Sequence, residues 1–199
     1  PLAFYMGCDS RNEYIYKFVT AANWDAADIG GGMAAGNKYL DEGKLYVAKF
    51  NSTGAGEWIE LSISNPLIAS YAGAAGFTFT SQAEIYVHTR LAADAVGATK
   101  MDRPEWCTVN PVNGEIYVTL TNNSNRGSSY PTDAANPRAY EDLYNNQKTQ
   151  KGNVNGHIIR FRETGDVTTA ESFKWDIYLF GAEASMASNI NLSFPIQLK

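Results

Sequence analysis

The sequence predicts a mainly β protein: a partial β-propeller of about two blades of antiparallel strands, with one helix inserted near residues 82–96. Three observations carry that prediction. Aromatic residues make up 13% of the 199-residue chain and glycines number 17, a composition of many strands and many turns. The β-rich runs fall into two groups of four, on either side of the helical stretch. Turn-forming residues separate neighbouring runs.

The first group is Leu2–Met6, Glu13–Val19, Leu45–Phe50 and Trp58–Leu61, with Gly54–Gly56 as a turn between the last two. Gly30-Gly31-Gly32-Met33 lacks the Gly-Lys-Ser/Thr ending of a phosphate loop and precedes no convincing helical pattern, so it reads as a flexible loop. Ser81-Gln82-Ala83-Glu84 has the form of a capping box. Ile85, His88, Ala92 and Ala95 then recur at helical spacing, and Gly97 sits where a C-terminal cap belongs. The second group is Trp106–Val109, Glu115–Thr121, His157–Arg162 and Phe173–Leu179. Asn113-Gly114 predicts a type I′ turn between its first pair, and Thr164–Asp166 a turn between its last. Four consecutive antiparallel strands are the unit of a propeller blade. Asn122–Gly156 shows no strand-like run and reads as a long loop, of the kind that is functional or disordered. Two blades leave strand edges exposed, because propellers typically close with four to eight. The apolar runs Pro1–Met6 and Phe194–Leu198 at the two ends point the same way. The expectation is that residues 1–199 form part of a single propeller domain in a longer protein.

Composition excludes several functions. A net charge of -5 with Lys+Arg 16 and no basic run argues against a nucleic-acid partner. The longest weakly polar run, Pro66 to Phe77, is broken by Ser70, Gly73 and Gly76 and falls short of the roughly 18 residues of a membrane span. Cys8, His88, Cys107 and His157 match no zinc-ligand spacing, and whether the two cysteines pair is open. Neither histidine has a catalytic partner visible by spacing. Asn51, Asn122 and Asn191 begin N-x-Ser/Thr triplets, which arise by chance at this asparagine content.

Two segments could carry chemistry. In Met101-Asp102-Arg103-Pro104-Glu105-Trp106, Pro104 should keep Arg103 extended, which places Arg103 and Glu105 on one side and Trp106 inward. A guanidinium beside a carboxylate could bind a phosphoryl oxygen and a hard cation together, or simply form a rim salt bridge. Cys8-Asp9-Ser10-Arg11-Asn12-Glu13 puts two acids and an arginine on a loop. Its oxygens could ligate a cation or only cap a turn.

Met101–Trp106, continued by Cys107-Thr108-Val109-Asn110-Pro111 and Gly114–Asn125, resembles the central signature of PhoX-type alkaline phosphatases. The segment Thr89–Lys100 leads into it in the family's manner. Supporting matches are Tyr5-Met6-Gly7, Glu13–Val19, Asp133-Ala134-Ala135-Asn136-Pro137-Arg138 and Gly156-His157-Ile158-Ile159-Arg160. The resemblance implies a periplasmic or secreted β-propeller phosphatase that uses Ca2+ and Fe3+ (calcium and ferric iron) and is substantially longer than this chain. It makes Arg103 the phosphate-contacting catalytic residue, Glu105 a metal ligand and Asp9 a further acidic metal ligand. Cys8 and Cys107 depart from the acidic and aliphatic residues of the pattern. The family's iron-bound cysteine belongs to an earlier segment, so neither inherits its role.

The expected function is hydrolysis of small-molecule phosphomonoesters by a calcium/iron cluster, with the remainder of the propeller supplying the other ligands. The alternatives are a non-catalytic calcium-binding propeller and a calcium-dependent lactonase-type propeller. Metal content and a comparison of phosphomonoester with lactone turnover separate the three.

Overall fold

A computed structural model describes residues 1–144 and 148–182; the Asn191 triplet and the Phe194–Leu198 run lie outside the described residues. In chain order the elements are β1 (Ala3–Gly7), β2 (Arg11–Glu13), β3 (Ile15–Thr20), α1 (Gly32–Leu40), β4 (Gly43–Phe50) and β5 (Ala55–Glu60). Then come α2 (Pro66–Ala69), α3 (Gln82–Val87), α4 (Thr89–Ala95), β6 (Met101–Asp102), β7 (Pro104–Val109) and β8 (Ile116–Leu120). A hairpin of β9 (Tyr140–Tyr144) and β10 (Lys148–Gly152) precedes β11 (His157–Glu163) and β12 (Ser172–Phe180).

Eight strands form one sheet in the order β1-β3-β4-β5-β12-β11-β8-β7, every neighbouring pair antiparallel. The two groups of four are each contiguous in it. They join edge to edge, Ser172 pairing with Glu57 and Lys174 with Ala55. The free edges β1 and β7 curl toward each other, so the sheet is nearly closed. A Cβ on Gly7 would lie 2.6 Å from the Pro104 carbonyl oxygen, and only glycine permits that approach.

The inward face explains the strand alternation. Val118, Ile116, Ile159, Phe161, Phe173, Phe50 and Trp58 meet inside the curl, with the tilted rings of Phe161 and Phe173 5.2 Å apart by centroid. Lys17 is also inside and fully buried. Its ammonium donates to Glu163 Oε1 at 3.1 Å and to the carbonyls of Ala170 and Thr168 at 2.6 and 3.3 Å. Tyr5 and Trp58 complete the Glu163 shell. Burying this charge is tolerable because all its donors are used. β3 is buried on both faces because α2–α4 pack Ile68, Ile85, Ala92 and Ala93 against Tyr14, Tyr16 and Val47.

Several expected elements take a different form. The helix near 82–96 is two helices, broken at His88 (φ -111°, ψ 42°), where the Thr89 hydroxyl donates to the Tyr86 and Ile85 carbonyls. The capping box forms, with Glu84 N–H donating to Ser81 Oγ at 3.4 Å, but the Glu84 carboxylate reaches one residue further, to the Thr80 N–H at 2.6 Å. The β7–β8 connection is not a two-residue type I′ turn. Asn113 is not left-handed, and the loop closes through Asn110 N–H to Glu115 O and Gly114 N–H to Asn110 O. Gly32 and Met33, the end of the expected flexible loop Gly30–Met33, open a nine-residue helix, Gly32–Leu40. Asn122–Gly156 contains the β9–β10 hairpin. Both cysteines are free.

Candidate anion-binding site at the start of strand β7

Arg103 sits where the chain leaves one ladder for another. β6 pairs with β2, Arg11 opposite Asp102, while β7 pairs with β8 in the large sheet. To change partners the backbone turns at Arg103 itself, which has φ 53° rather than the extended conformation expected before Pro104. A left-handed non-glycine residue costs about 1–2 kcal/mol. Two main-chain bonds hold it there: Arg103 N–H to Met101 O and Thr121 N–H to Arg103 O, both 3.1 Å.

That turn aims the guanidinium at the loop after β1. Nε lies 3.1 Å from Asp9 Oδ1, Nη2 donates to Asp9 Oδ2 at 3.2 Å, and Nη1 donates to Asn122 Oδ1 at 2.6 Å. Two of the five guanidinium N–H groups are thereby hydrogen-bonded and Nε faces Asp9 as an ion pair, which leaves one N–H on each terminal nitrogen without a hydrogen bond among the described residues. The side chain is partly exposed, at 29%.

Trp106 is exposed (71%) rather than packed inward. The reason is a β-bulge. Pairing steps from Pro104–Leu120 to Cys107–Val118, three residues on β7 against two on β8. The extra residue sends both Glu105 and Trp106 to solvent and returns Cys107 to the core. Buried Pro104 separates Arg103 from Glu105, and both reach solvent. Glu105 has no hydrogen bond or ion pair among the described residues, which leaves a hard oxygen donor available.

The neighbouring polar groups are ordered. Glu13 pairs with Arg90 of α4 at 2.7 Å, and burial raises its carboxyl against the lowering effect of Arg90. The Cys8 thiol is raised by desolvation and by the Glu13 carboxylate, and burial pushes the Cys107 thiol up to about 11. Both shifts favour the thiol over the thiolate. Asp9 uses one lone pair of each oxygen on Arg103 and keeps the others. Asp9 and Glu105 thus suit a hard cation, but two carboxylates fall short of the six to eight oxygens calcium takes. Among the described residues no group of three or more His, Cys, Asp or Glu side chains could hold a metal ion. These residues fit as a contribution to a metal centre and not as a whole one.

Sequence reasoning missed Asn122, noted only as a glycosylation triplet, and the buried residues behind it. Asp102 is fully buried and accepts from Asn123 Nδ2 at 2.6 Å, Arg126 Nε at 2.9 Å and Asn153 Nδ2 at 3.0 Å. The available signal was density: Asn122-Asn123 and Asn153 in a segment too long to be an ordinary loop.

A curled antiparallel sheet of two blade-like four-strand groups, with Arg103 and Glu105 at its strand ends, has the architecture of a partial propeller. The chain belongs to the PhoX alkaline phosphatase family, whose model matches residues 2–196. It is similar in structure to Pseudomonas fluorescens PhoX in complex with vanadate, a transition state analogue. The TM-score is 0.70 at 39% sequence identity, over 88% of this chain and 28% of that one. The chain therefore spans well under a third of that relative's length. No curated protein matches the sequence.

Proposed function

We propose that this chain is part of a secreted or periplasmic phosphatase that hydrolyses small-molecule phosphomonoesters, the remaining ligands and blades lying elsewhere in the polypeptide. The observation that carries it is the partly exposed Arg103 fork, held by Asp9 and Asn122, in a chain of this family. The N–H left on each terminal nitrogen can donate to a non-bridging phosphate oxygen, and a fork already fixed spends little entropy on binding. As negative charge shifts in the transition state, a donor pair that need not reorganise stabilises it more than the ground state. Asp9 holds the guanidinium in place.

Glu105, with the spare lone pairs of Asp9, would ligate calcium and ferric iron, which when bound supply Lewis-acid neutralisation of phosphate charge. Both roles are tested in the full-length polypeptide. Arg103→Ala should leave calcium and iron content intact and weaken inhibition by phosphate and vanadate. Glu105→Ala should lower metal content. Wild-type turnover of a phosphomonoester in both variants would refute the assignment. Bound calcium without iron and without phosphatase activity would favour the non-catalytic alternative. Cell fractionation tests the location.

A further inference from the structure

We propose that Asp102 and Asn123 are positioning residues for Arg103: one buried hydrogen-bonded hub fixes all three members of the Arg103–Asp9–Asn122 cluster at once. The inference rests on the phosphate-binding reading of Arg103 and adds how that fork is held. Arg103 and Asn122 each adjoin a residue of the Asp102–Asn123 pair, and the Asp9 loop reaches the same pair through Asn12. Asp102 adjoins Arg103. Asn123 adjoins Asn122 and donates to Asp102 Oδ1 at 2.6 Å. The same Asn123 amide donates to Asn12 Oδ1 at 3.1 Å, three residues beyond Asp9. Asn12, Asp102 and Asn123 are all buried.

The backbone carries the same linkage. Arg11 pairs with Asp102 between β2 and β6, so the loop bearing Asp9 is laced to the strand that ends at Arg103. Asn12 is left-handed, φ 63°, a conformation asparagine tolerates. Asn136 Oδ1 accepts from Asp102 N–H at 3.0 Å. Arg126 covers the remaining charge, its Nε 2.9 Å from Asp102 Oδ1 and its Nη2 donating to the Lys100 carbonyl. A purely structural salt bridge between Asp102 and Arg126 would not need Asn123 shared with the Asp9 loop. The shared amide makes displacement of one cluster member displace the others.

The test is a double-mutant cycle in the full-length polypeptide. Asn123→Ala removes the shared amide, and Asn12→Gly removes its partner while keeping the left-handed backbone. Asp102→Asn is the conservative third variant; if it fails to fold with Arg126 unpaired, the other two still decide. Each is made alone and with Arg103→Ala, and kcat, KM and calcium and iron content are measured. A misplaced fork should cost roughly tenfold to a hundredfold in kcat/KM. In the Arg103→Ala background the same substitutions should cost at least about fivefold less, because the fork is gone and only the Asp9 carboxylate remains to be displaced. Any fall in metal content, through Asp9, should be the same in both backgrounds. Equal losses in both backgrounds, or no loss with Arg103 present, overturn the inference while leaving Arg103's own role standing. Wild-type activity in Arg103→Ala overturns the phosphate-binding reading and the inference with it.

Discussion

His157 should make this protein acid-labile in a measurable way. It is fully buried at the start of β11, its Nδ1 2.9 Å from Asn153 Nδ2 and its Nε2 2.8 Å from the Ala135 carbonyl. An amide NH2 can only donate and a carbonyl only accept, so the ring is neutral with its proton on Nε2. Burial lowers its pKa from 6.5 to about 4. In the unfolded chain the ring binds a proton near pH 6.5, in the folded one only near 4. The unfolded state therefore holds more protons throughout that window, and stability falls as pH drops from 6.5 to 4. At 1.36 kcal/mol per tenfold change in proton affinity, the loss is roughly 3 kcal/mol. Urea unfolding of wild type and His157→Gln between pH 7.5 and 4.5 measures it. The difference between the two cancels the carboxylates common to both, and His157→Gln should show the shallower decline. Because the chain has only His88 and His157, ring-proton NMR gives the titration directly. Parallel stability curves, or a His157 titration near 6.5, would refute the argument.

Gly7→Ala should push β1 off Pro104 and destabilise by about 1–3 kcal/mol, with weakened phosphate inhibition because the Asp9 loop moves with it; unchanged melting and inhibition would count against that contact. Lys17→Met should cost about 3–5 kcal/mol by leaving the Glu163 carboxylate buried against only Tyr5 and Trp58. Adding Glu163→Gln should recover much of that loss, as denaturant midpoints would show. Cys107, with its pKa near 11 and its side chain against the core, should resist a thiol reagent at pH 8 until the protein is unfolded. Cys8 should react first, and equal native rates would contradict the burial.

Strands were legible where they put alternate side chains into the curled core, as in His157–Glu163 with Ile159, Phe161 and Glu163 inward. The same logic is blind to β9 and β10. That ribbon is a two-stranded pair outside the main sheet, and Lys148–Gly152 carries no apolar alternation. Helix α1 begins at a glycine and has no side-chain cap, so its start sends no signal. The break at His88 depends on where one threonine hydroxyl turns, which periodicity does not report.

For the site, the charged triplet around Pro104 was visible in the sequence, but its geometry was set by pairing partners that local rules ignore. Pro104 does restrict Arg103, yet the change from the β2 ladder to the β8 ladder decides which of the remaining backbone conformations it takes. Alternation predicts Trp106 inward, and a single extra residue in β7 inverts it. Asp9 and Asn122 reach Arg103 from 94 residues before it and 19 after, so only the fold brings them together. A guanidinium steered by such distant partners keeps its aim only if their backbones move as one. On the proposed reading the buried Asp102–Asn123 hub supplies that constraint, and the asparagine-rich segment then belongs to the site together with the charged residues.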